Sequence, residues 1–372
     1  MKSELSIAYD ARSMQAGGTG DRTYFREIIG GVAQSQPQST LCLYAREIDA
    51  EREELARRFA NVRSVPIGFA VGALWNQFAL APRLKRDTMN VLHAQYLLPP
   101  RAPIPTIVTI HDISFRLFPQ WFPLRARRIM NVLIPLSARV ATKILTISEH
   151  SKRDIARHFR IDPNKIIVTP LAAAARFQPL EKDGARRKVR EQFGLSAPYF
   201  IGIGLRGARK NTEVVLRAIK VLCERGQWPN DVILALAGTP EQFPFVAASG
   251  VAERVHFLGY VDDEALPALY AGALASVYPS FYEGFGLPPL EAMSCACPTL
   301  SSNRASLPEV VGEGGQLLAP DDVEAWVAAM RELIGDEEVR AFWGERGVRQ
   351  AAKFSWQTTV GQTGEIYRQV AR

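Results

Sequence analysis

Short apolar runs alternate with amphipathic stretches along the whole chain, and that alternation leaves few architectures open. LSIAYD is followed by a glycine loop and then RTYFREIIGGVAQ, while IPTIVTIHD, TKILTIS and KIIVTPL are further strand candidates. HSKRDIARHF, between the last two, has helical spacing, with Ser148 placed to cap it. A second series opens near residue 198 and runs YFIGIG, VILALAG, VHFLG, ASVYPS, CPTLSS and GQLLAP. Helical patterns such as NTEVVLRAIKVLCERG and DDVEAWVAAMRELIGD separate these runs. Strands alternating with helices of about 10–15 residues form βαβ units, which build parallel sheets covered on both faces. Two such series predict an α/β chain of two doubly wound domains. The polar stretch LEKDGARRKVREQFGLSAP between them reads as a linker, and no internal repeat is visible. Parallel sheets bind ligands beyond the carboxyl ends of their strands, so two facing sheets predict a cleft.

Composition narrows the class. Hydrophobic residues make up 47% and charged residues 22% of the 372 positions, an ordinary globular balance. No apolar stretch approaches the roughly 20 residues needed to span a bilayer. MKSELSIAYDARS reads as a first strand, not a signal peptide. Cys42, Cys223, Cys295 and Cys297 lack zinc or redox spacing and read as reduced thiols. The net charge of +7 is uneven. Residues 1–170 carry 24 Lys/Arg against 14 Asp/Glu, a net +10, and residues 171–372 carry 21 against 24, a net −3. The basic first half either favours anionic partners or is an arginine-rich solvated face.

Glycine-rich turns follow three of the strand candidates. In AGGTGDR, Gly17, Gly18 and Gly20 allow backbone to approach a ligand closely just before a helix start. In FIGIGLRGARKN, Gly202-x-Gly204-x-x-Gly207 has the spacing of a dinucleotide-binding turn. In a true dinucleotide turn, however, the helix begins inside the motif. Here the helical periodicity of Val214, Val215, Ala218, Ile219 and Leu222 begins only after Asn211 and Thr212. Arg209 and Lys210 intervene, and two cations beside a helix start suit a diphosphate whose charge grows during reaction. An adjacent Arg-Lys pair on a solvated loop would look the same. In YPSFYEGFGLPPLEAM, a strand leads into Glu283-Gly284-Phe285-Gly286-Leu287, with Pro288 suited to the first helical turn. Glu283 and Glu291 bracket that turn and can face one ligand. The amides of Phe285, Gly286 and Leu287 suit an anion or a sugar, and a carboxylate beside a diphosphate suits hydroxyl binding.

On these residues the chain resembles the retaining glycosyltransferases of family 4. EGFGLPPLE matches that family's E-x7-E motif and ARKN its phosphate-binding Arg-Lys. HDISFRLFPQWFPLRARRIM with ATKILTISEHSKRDI resembles its acceptor segment. FLGYVDDEALPALYAGA and SNRASLPEVVGEGG follow in order and spacing, so the resemblance covers nearly the whole chain. It implies the GT-B fold, two facing Rossmann-like domains with a cleft between them. Residues 1–178 would bind acceptor, residues 190–355 the nucleotide sugar, and a C-terminal helix at 356–372 would cross back to the first domain. The implied reaction moves a hexose to a saccharide or lipid-linked saccharide in polysaccharide synthesis, GDP-mannose being the favoured donor and UDP-glucose the next. In the family's front-face mechanism the leaving phosphate assists the incoming hydroxyl. No cofactor, metal or nucleic acid is implied, and the expected location is cytoplasmic, with peripheral contact at the inner membrane face.

Carried over residue by residue, the resemblance places Arg209 and Lys210 on the diphosphate and Glu291 on the ribose hydroxyls. Glu283 would lie by the transferred sugar, with Gly284, Phe285, Gly286 and Leu287 against its hydroxyls and phosphate. Gly18 would meet donor phosphate or acceptor, and Gly17 acceptor. Val261, Asp262 and Asp263 would form the base-binding loop. The spacing of VDDE is wrong for a DxD metal motif, and it reads as a loop and N-cap before EALPALY. His111 follows a strand and would stand near the reacting centre or acceptor, oriented by Asp112, with His93 a weaker candidate. The catalytic set is thus Glu283, His111, Lys210 and Arg209. Two places depart from the family pattern: where many relatives have an Arg some residues before the Lys and a Glu-Pro before RKN, this chain reads Gly204-Leu205-Arg206-Gly207-Ala208, with Arg206 either supplying the extra cation or free, and Asp21-Arg22 stands where relatives often have Arg-Tyr.

Residues 115–130 interleave Phe115, Phe118, Trp121 and Phe122 with Arg116, Arg125, Arg127 and Arg128. That mixture suits an anionic membrane surface, or a packed helix with an arginine-rich face. Two other functions stay open at this point. One is an NAD-dependent oxidoreductase using Gly202-x-Gly204-x-x-Gly207, whose ribose-binding acid would be Glu224. The other is a non-catalytic nucleotide-sugar-binding protein.

Overall fold

Strands covered by helices on both faces have to be apolar on both sides. VLHAQ, TIVT, YFIG, ASVY and TLSS are buried at every position. The computed structural model describes residues 4–15, 20–47, 49–68 and 75–371. Its contacts divide the chain into two units, Met1–Leu171 with Ser355–Arg372, and Ala172–Phe354.

The first unit runs β1 (Ser6–Asp10), α1 (Gly20–Ser35), β2 (Thr40–Ala45), α2 (Ala50–Arg58), β3 (Val62–Pro66), α3 (Ala81–Arg86) and β4 (Val91–Gln95). It continues with β5 (Thr106–Thr109), α4 (Ser114–Leu117), α5 (Leu124–Val140), β6 (Lys143–Thr146), α6 (Glu149–Phe159) and β7 (Ile166–Val168). The second unit runs α7 (Lys182–Phe193), β8 (Tyr199–Gly202), α8 (Thr212–Glu224), β9 (Ile233–Leu236), β10 (Val255–Phe257), α9 (Leu266–Gly272) and β11 (Ala275–Tyr278). It ends with α10 (Leu287–Ser294), β12 (Thr299–Ser302), α11 (Leu307–Val311), β13 (Gln316–Leu318), α12 (Val323–Gly335) and α13 (Glu337–Ala351). The chain then returns to the first unit as α14 (Trp356–Val370).

Every pairing between these strands is parallel. The sheet orders are β3-β2-β1-β4-β5-β6-β7 and β10-β9-β8-β11-β12-β13. Both are doubly wound, and in each the order reverses beside its first strand. The loops leaving β1 and β4, and those leaving β8 and β11, therefore diverge and open a crevice at the carboxyl end of each sheet. This positions the site.

Ser148 caps α6 as expected, its Oγ accepting from the Ser151 amide at 3.0 Å. The expected linker takes a different form. The boundary between units falls at 171/172, and LEKDGARRKVREQF contains α7, part of the second unit. The helix reads as polar because only Ala185 and Val189 face the core. Glu181 caps it by accepting from the amides of Asp183 and Gly184, and Gly194 ends it at φ +65°. Helix α14 packs along α1, where Val360 lies so close to Gly31 that a side chain there would collide. All four cysteines are free thiols.

Candidate active site

The second unit's crevice is built from the loops after β8 and β11. After β8, Gly204 and Gly207 take φ of +66° and +88°, Ala208–Lys210 form one 3-10 turn, and Asn211 sits left-handed at φ +52°. The Gly202-x-Gly204-x-x-Gly207 spacing thus serves loop geometry. A side chain at Gly202 would press on Leu205 and Leu236 at 2.6 and 2.7 Å, and the helix starts only at Thr212. Glu224 ends that helix and does not follow β9. These features leave the dinucleotide reading without its helix start or its acid.

The Asn211 side chain ties this turn to the neighbouring loops, donating to the carbonyls of Pro279 and Pro320, and the Phe281 amide donates to the Arg209 carbonyl at 2.9 Å. The result is a compact charge cluster. Lys210 Nζ lies 2.7 Å from Glu283 Oε1 and 2.6 Å from the Tyr278 hydroxyl. Arg209 Nη1 lies 3.2 Å from Glu283 Oε2 and donates to the Tyr282 carbonyl at 3.0 Å. Glu283 is 7% exposed. Burial alone would raise its carboxyl, but Lys210 and Arg209 outweigh that and hold it below the ordinary range.

The loop that carries Glu283 is held from beneath. The buried Ser306 hydroxyl is within donor range of the Glu283 and Phe285 carbonyls, at 2.8 and 2.7 Å. Gly286 adopts φ +116°, and a Cβ there would stand 2.6 Å from Leu307 Cδ2, so the turn into α10 requires glycine. Pro288 and Pro289 then occupy the first turn of α10, where no amide donor is lost. Gly284 and Phe285 are buried, and Phe285 packs edge-on to Phe354 at 5.6 Å.

Glu291, one helix turn into α10, occupies a different electrostatic setting. It is half-buried, and the charges acting on it are Asp263, of like sign, and Arg176. Burial first, then Asp263, push its carboxyl up to about 8. At neutral pH it is therefore largely protonated, able to donate as well as accept. Arg176 in turn pairs with Asp263 at 3.2 Å and Glu264 at 3.4 Å. Val261 packs against the core beside this loop. The expected helix cap needs correcting: Asp262 Oδ1 accepts from the Glu264 amide, closing a turn ahead of α9, while α9 itself begins with no side-chain cap. A short Asx turn was the more local partner for that carboxylate. Among the described residues no group of three or more His, Cys, Asp and Glu is arranged to hold a metal.

In the first unit, His111 is buried just past β5. Its Nε2 lies 3.1 Å from Gln95 Oε1 and 3.4 Å from Asp21 Oδ1. Gln95 Nε2 donates to the Asp21 carbonyl at 2.9 Å, which turns the amide oxygen toward the imidazole. Asp112 does not orient His111: one of its oxygens accepts from the Ser114 amide at 2.8 Å, at the start of α4. Asp21 and Gln95 hold the ring instead; Asp21 stood out in the sequence only as a departure from the family pattern, and neither pairing shows there because the two residues come from α1 and β4, distant in sequence. His93 is a structural link, bonded to the Tyr367 and Thr109 hydroxyls at 2.6 and 2.7 Å. Burial, with His111 adding, pushes it down to about 3, so it stays neutral. Gly17 and Gly18 lie outside the described residues. Arg206 is exposed.

Residues 115–130 are only partly surface. Phe115 is buried, and Phe118 and Trp121 stack on one another at 4.3 Å. The exposed apolar side chains are Leu124 at the start of α5 and, along one face of that helix and running past residue 130, Ile129, Val132, Leu136 and Val140. Exposed Arg125, Arg128 and Arg139 share that face by helical periodicity. No helix among the described residues is long and apolar enough to cross a membrane.

Comparison with known proteins agrees with this architecture. Residues 185–350 match the model for glycosyl transferases group 1, and residues 19–172 that for glycosyltransferase family 4. The chain is 33% identical to O-antigen chain mannosyltransferase B of Escherichia coli, over 86% of this chain and 85% of that one. Sucrose-phosphate synthase from Thermosynechococcus elongatus superposes with a TM-score of 0.78 at 19% identity, covering 98% of this chain and 99% of its own. Anabaena HepE, solved in complex with UDP and glucose, superposes with a TM-score of 0.73 at 19% identity, covering 98% and 99%. Both structures share the two parallel-sheet, Rossmann-like units of the GT-B fold. With two family models covering both units and a relative at this identity over most of its length, the chain belongs to the group 1, family 4 glycosyltransferases.

Proposed function

We propose that the protein is a retaining, metal-independent hexosyltransferase that uses a nucleotide-diphosphate sugar to extend a saccharide or lipid-linked saccharide. The Arg209–Lys210–Glu283 cluster carries this reading. Two cations, Lys210 largely buried and Arg209 partly exposed, share one carboxylate in a crevice at the switch point of a doubly wound sheet, which leaves a net positive charge there. A diphosphate entering the crevice would share those cations with Glu283. As the bond between the anomeric carbon and phosphate oxygen breaks, negative charge builds on the diphosphate. Contact with Lys210 then strengthens in the transition state, which is what accelerates a reaction. The same phosphate oxygen takes the proton of the incoming hydroxyl while that hydroxyl's oxygen bonds the anomeric carbon on the face just vacated. Configuration is kept.

Glu291 would bind the ribose, donating to one hydroxyl and accepting from the other, with Val261, Asp262 and Asp263 by the base. His111, held by Gln95 and Asp21, would serve the acceptor end together with Gly17, Gly18 and Asp112. The E. coli relative's named activity supports mannose as the transferred sugar, and GDP-mannose is the donor proposed for it. UDP-glucose is the next donor proposed, and the fold neighbour HepE, solved with UDP and glucose, is consistent with it. The apolar, arginine-flanked face of α5 supports contact with an anionic membrane surface. Proton NMR of the product tests the assignment: incubation with GDP-mannose or UDP-glucose and a mannoside acceptor should yield an α-linked hexoside. A β-linked product would overturn retention, and no transfer from either donor would overturn the donor class.

A further inference from the structure

We infer that the first unit carries a second carbohydrate site, in a groove of about 800 Å³ between α1, α2 and the start of α14. Its volume is that of a small-molecule site, for which about 300–1,000 Å³ is usual. Every wall belongs to the first unit, and none of the residues assigned to transfer lines it.

Two orphaned polar atoms identify the ligand. Trp356 Nε1 and Glu51 Oε1 are both buried, both belong to residues lining the groove, and neither has a hydrogen-bond partner among the described residues. The other Glu51 oxygen is taken by Arg22 at 2.7 Å. A buried indole N–H wants an acceptor and a buried carboxylate oxygen wants a donor. A hydroxyl-bearing ligand supplies both from one kind of group. The apolar surface comes from Trp356, Phe59 and Val360, which suits the C–H face of a pyranose ring. The remaining charges are mixed: Arg26 and Arg58 stand against Glu27 and Glu54. That balance disfavours an anionic ligand such as a nucleotide or a lipid headgroup. The occupant is therefore a neutral oligosaccharide. On the reading that the enzyme extends a saccharide, it would be a stretch of acceptor chain remote from the reacting end.

The test is binding of linear mannotetraose to the whole chain, with no donor present, read by saturation-transfer NMR and by tryptophan fluorescence titration. Binding should persist in Lys210→Ala. Trp356→Phe keeps a ring but loses the N–H, and should weaken binding by about 3–10-fold, the range expected for one hydrogen bond. Glu51→Gln offers an amide to the same hydroxyls and should weaken it less. Gly361 also lines the groove, and a Cβ there meets no atom within 4 Å. Gly361→Phe should therefore fold normally and abolish binding by filling the space. Mannotetraose binding that Gly361→Phe and Trp356→Phe both leave unchanged would overturn the proposal, as would no binding at all. Because no donor or turnover is involved, failure of transfer by the wild type leaves this outcome readable by itself.

Discussion

Glu283→Gln is the sharpest probe of the charge cluster. The change keeps the shape of the side chain and removes the one negative charge that Lys210 and Arg209 share at 2.7 and 3.2 Å. At an effective dielectric of about 20, each contact is worth roughly 5–6 kcal/mol before the desolvation penalty is subtracted. Removing one partner of a buried pair lowers stability by about 3–5 kcal/mol net. Arg209 is 29% exposed, so water screens its share and the lower figure, about 3 kcal/mol, applies. In a unit of this size that lowers Tm by roughly 6–12 °C in differential scanning fluorimetry. Ligand binding should move the other way. A diphosphate no longer competes with a carboxylate, so GDP or UDP should bind the variant about 10-fold more tightly, near 1.4 kcal/mol. Titration calorimetry of the two proteins at one ionic strength reads that difference. A variant that melts with the wild type, or binds nucleotide diphosphate more weakly, would show that Glu283 does not neutralise a phosphate site.

Four further outcomes follow from the same geometry. Lys210→Ala should depress kcat by roughly 10²–10³-fold with a smaller change in donor KM, whereas Glu291→Ala should raise donor KM more than it lowers kcat; equal effects in steady-state kinetics would refute the separate roles. Because the folded Glu291 carboxyl titrates near 8 against an ordinary 4.5, the folded state holds its proton longer, so this group's contribution to stability falls as pH rises between those values. Glu291→Gln should remove that slope, and parallel Tm–pH curves for the two proteins would refute the assignment. Transfer should survive EDTA; loss of product that magnesium or manganese restores would expose a metal site. Val132→Glu with Leu136→Glu should release the protein from anionic liposomes at low salt, and retention equal to wild type in co-sedimentation would place any membrane contact elsewhere.

The architecture was legible because strand burial and helix amphipathicity are local signals. VILALAG and ASVYPS became β9 and β11 where their apolar runs stood, and the late start of α8 was visible in the spacing after Asn211. Segments with a small buried face were misread. Helix α7 shows only Ala185 and Val189 to the core, too faint a stripe to separate from a linker. The shared strand order of the two sheets followed from the βαβ alternation and the family resemblance and not from any internal repeat, because topology repeats here without a repeat of residues.

The chemistry divides along the same line. Glu283, Arg209 and Lys210 could be singled out from their motifs, since glycine turns and charged residues at fixed offsets follow the chain. Their ion pairing could not, because it depends on β8 and β11 lying side by side, 73 and 74 positions apart along the chain at the contact. The environment that raises Glu291, the Gln95 and Asp21 that hold His111, and the Ser306 beneath the loop are also long-range. Sequence spacing determines which side chains share a turn or a face. Burial, partners and therefore protonation are set by neighbours that only the folded sheets bring together.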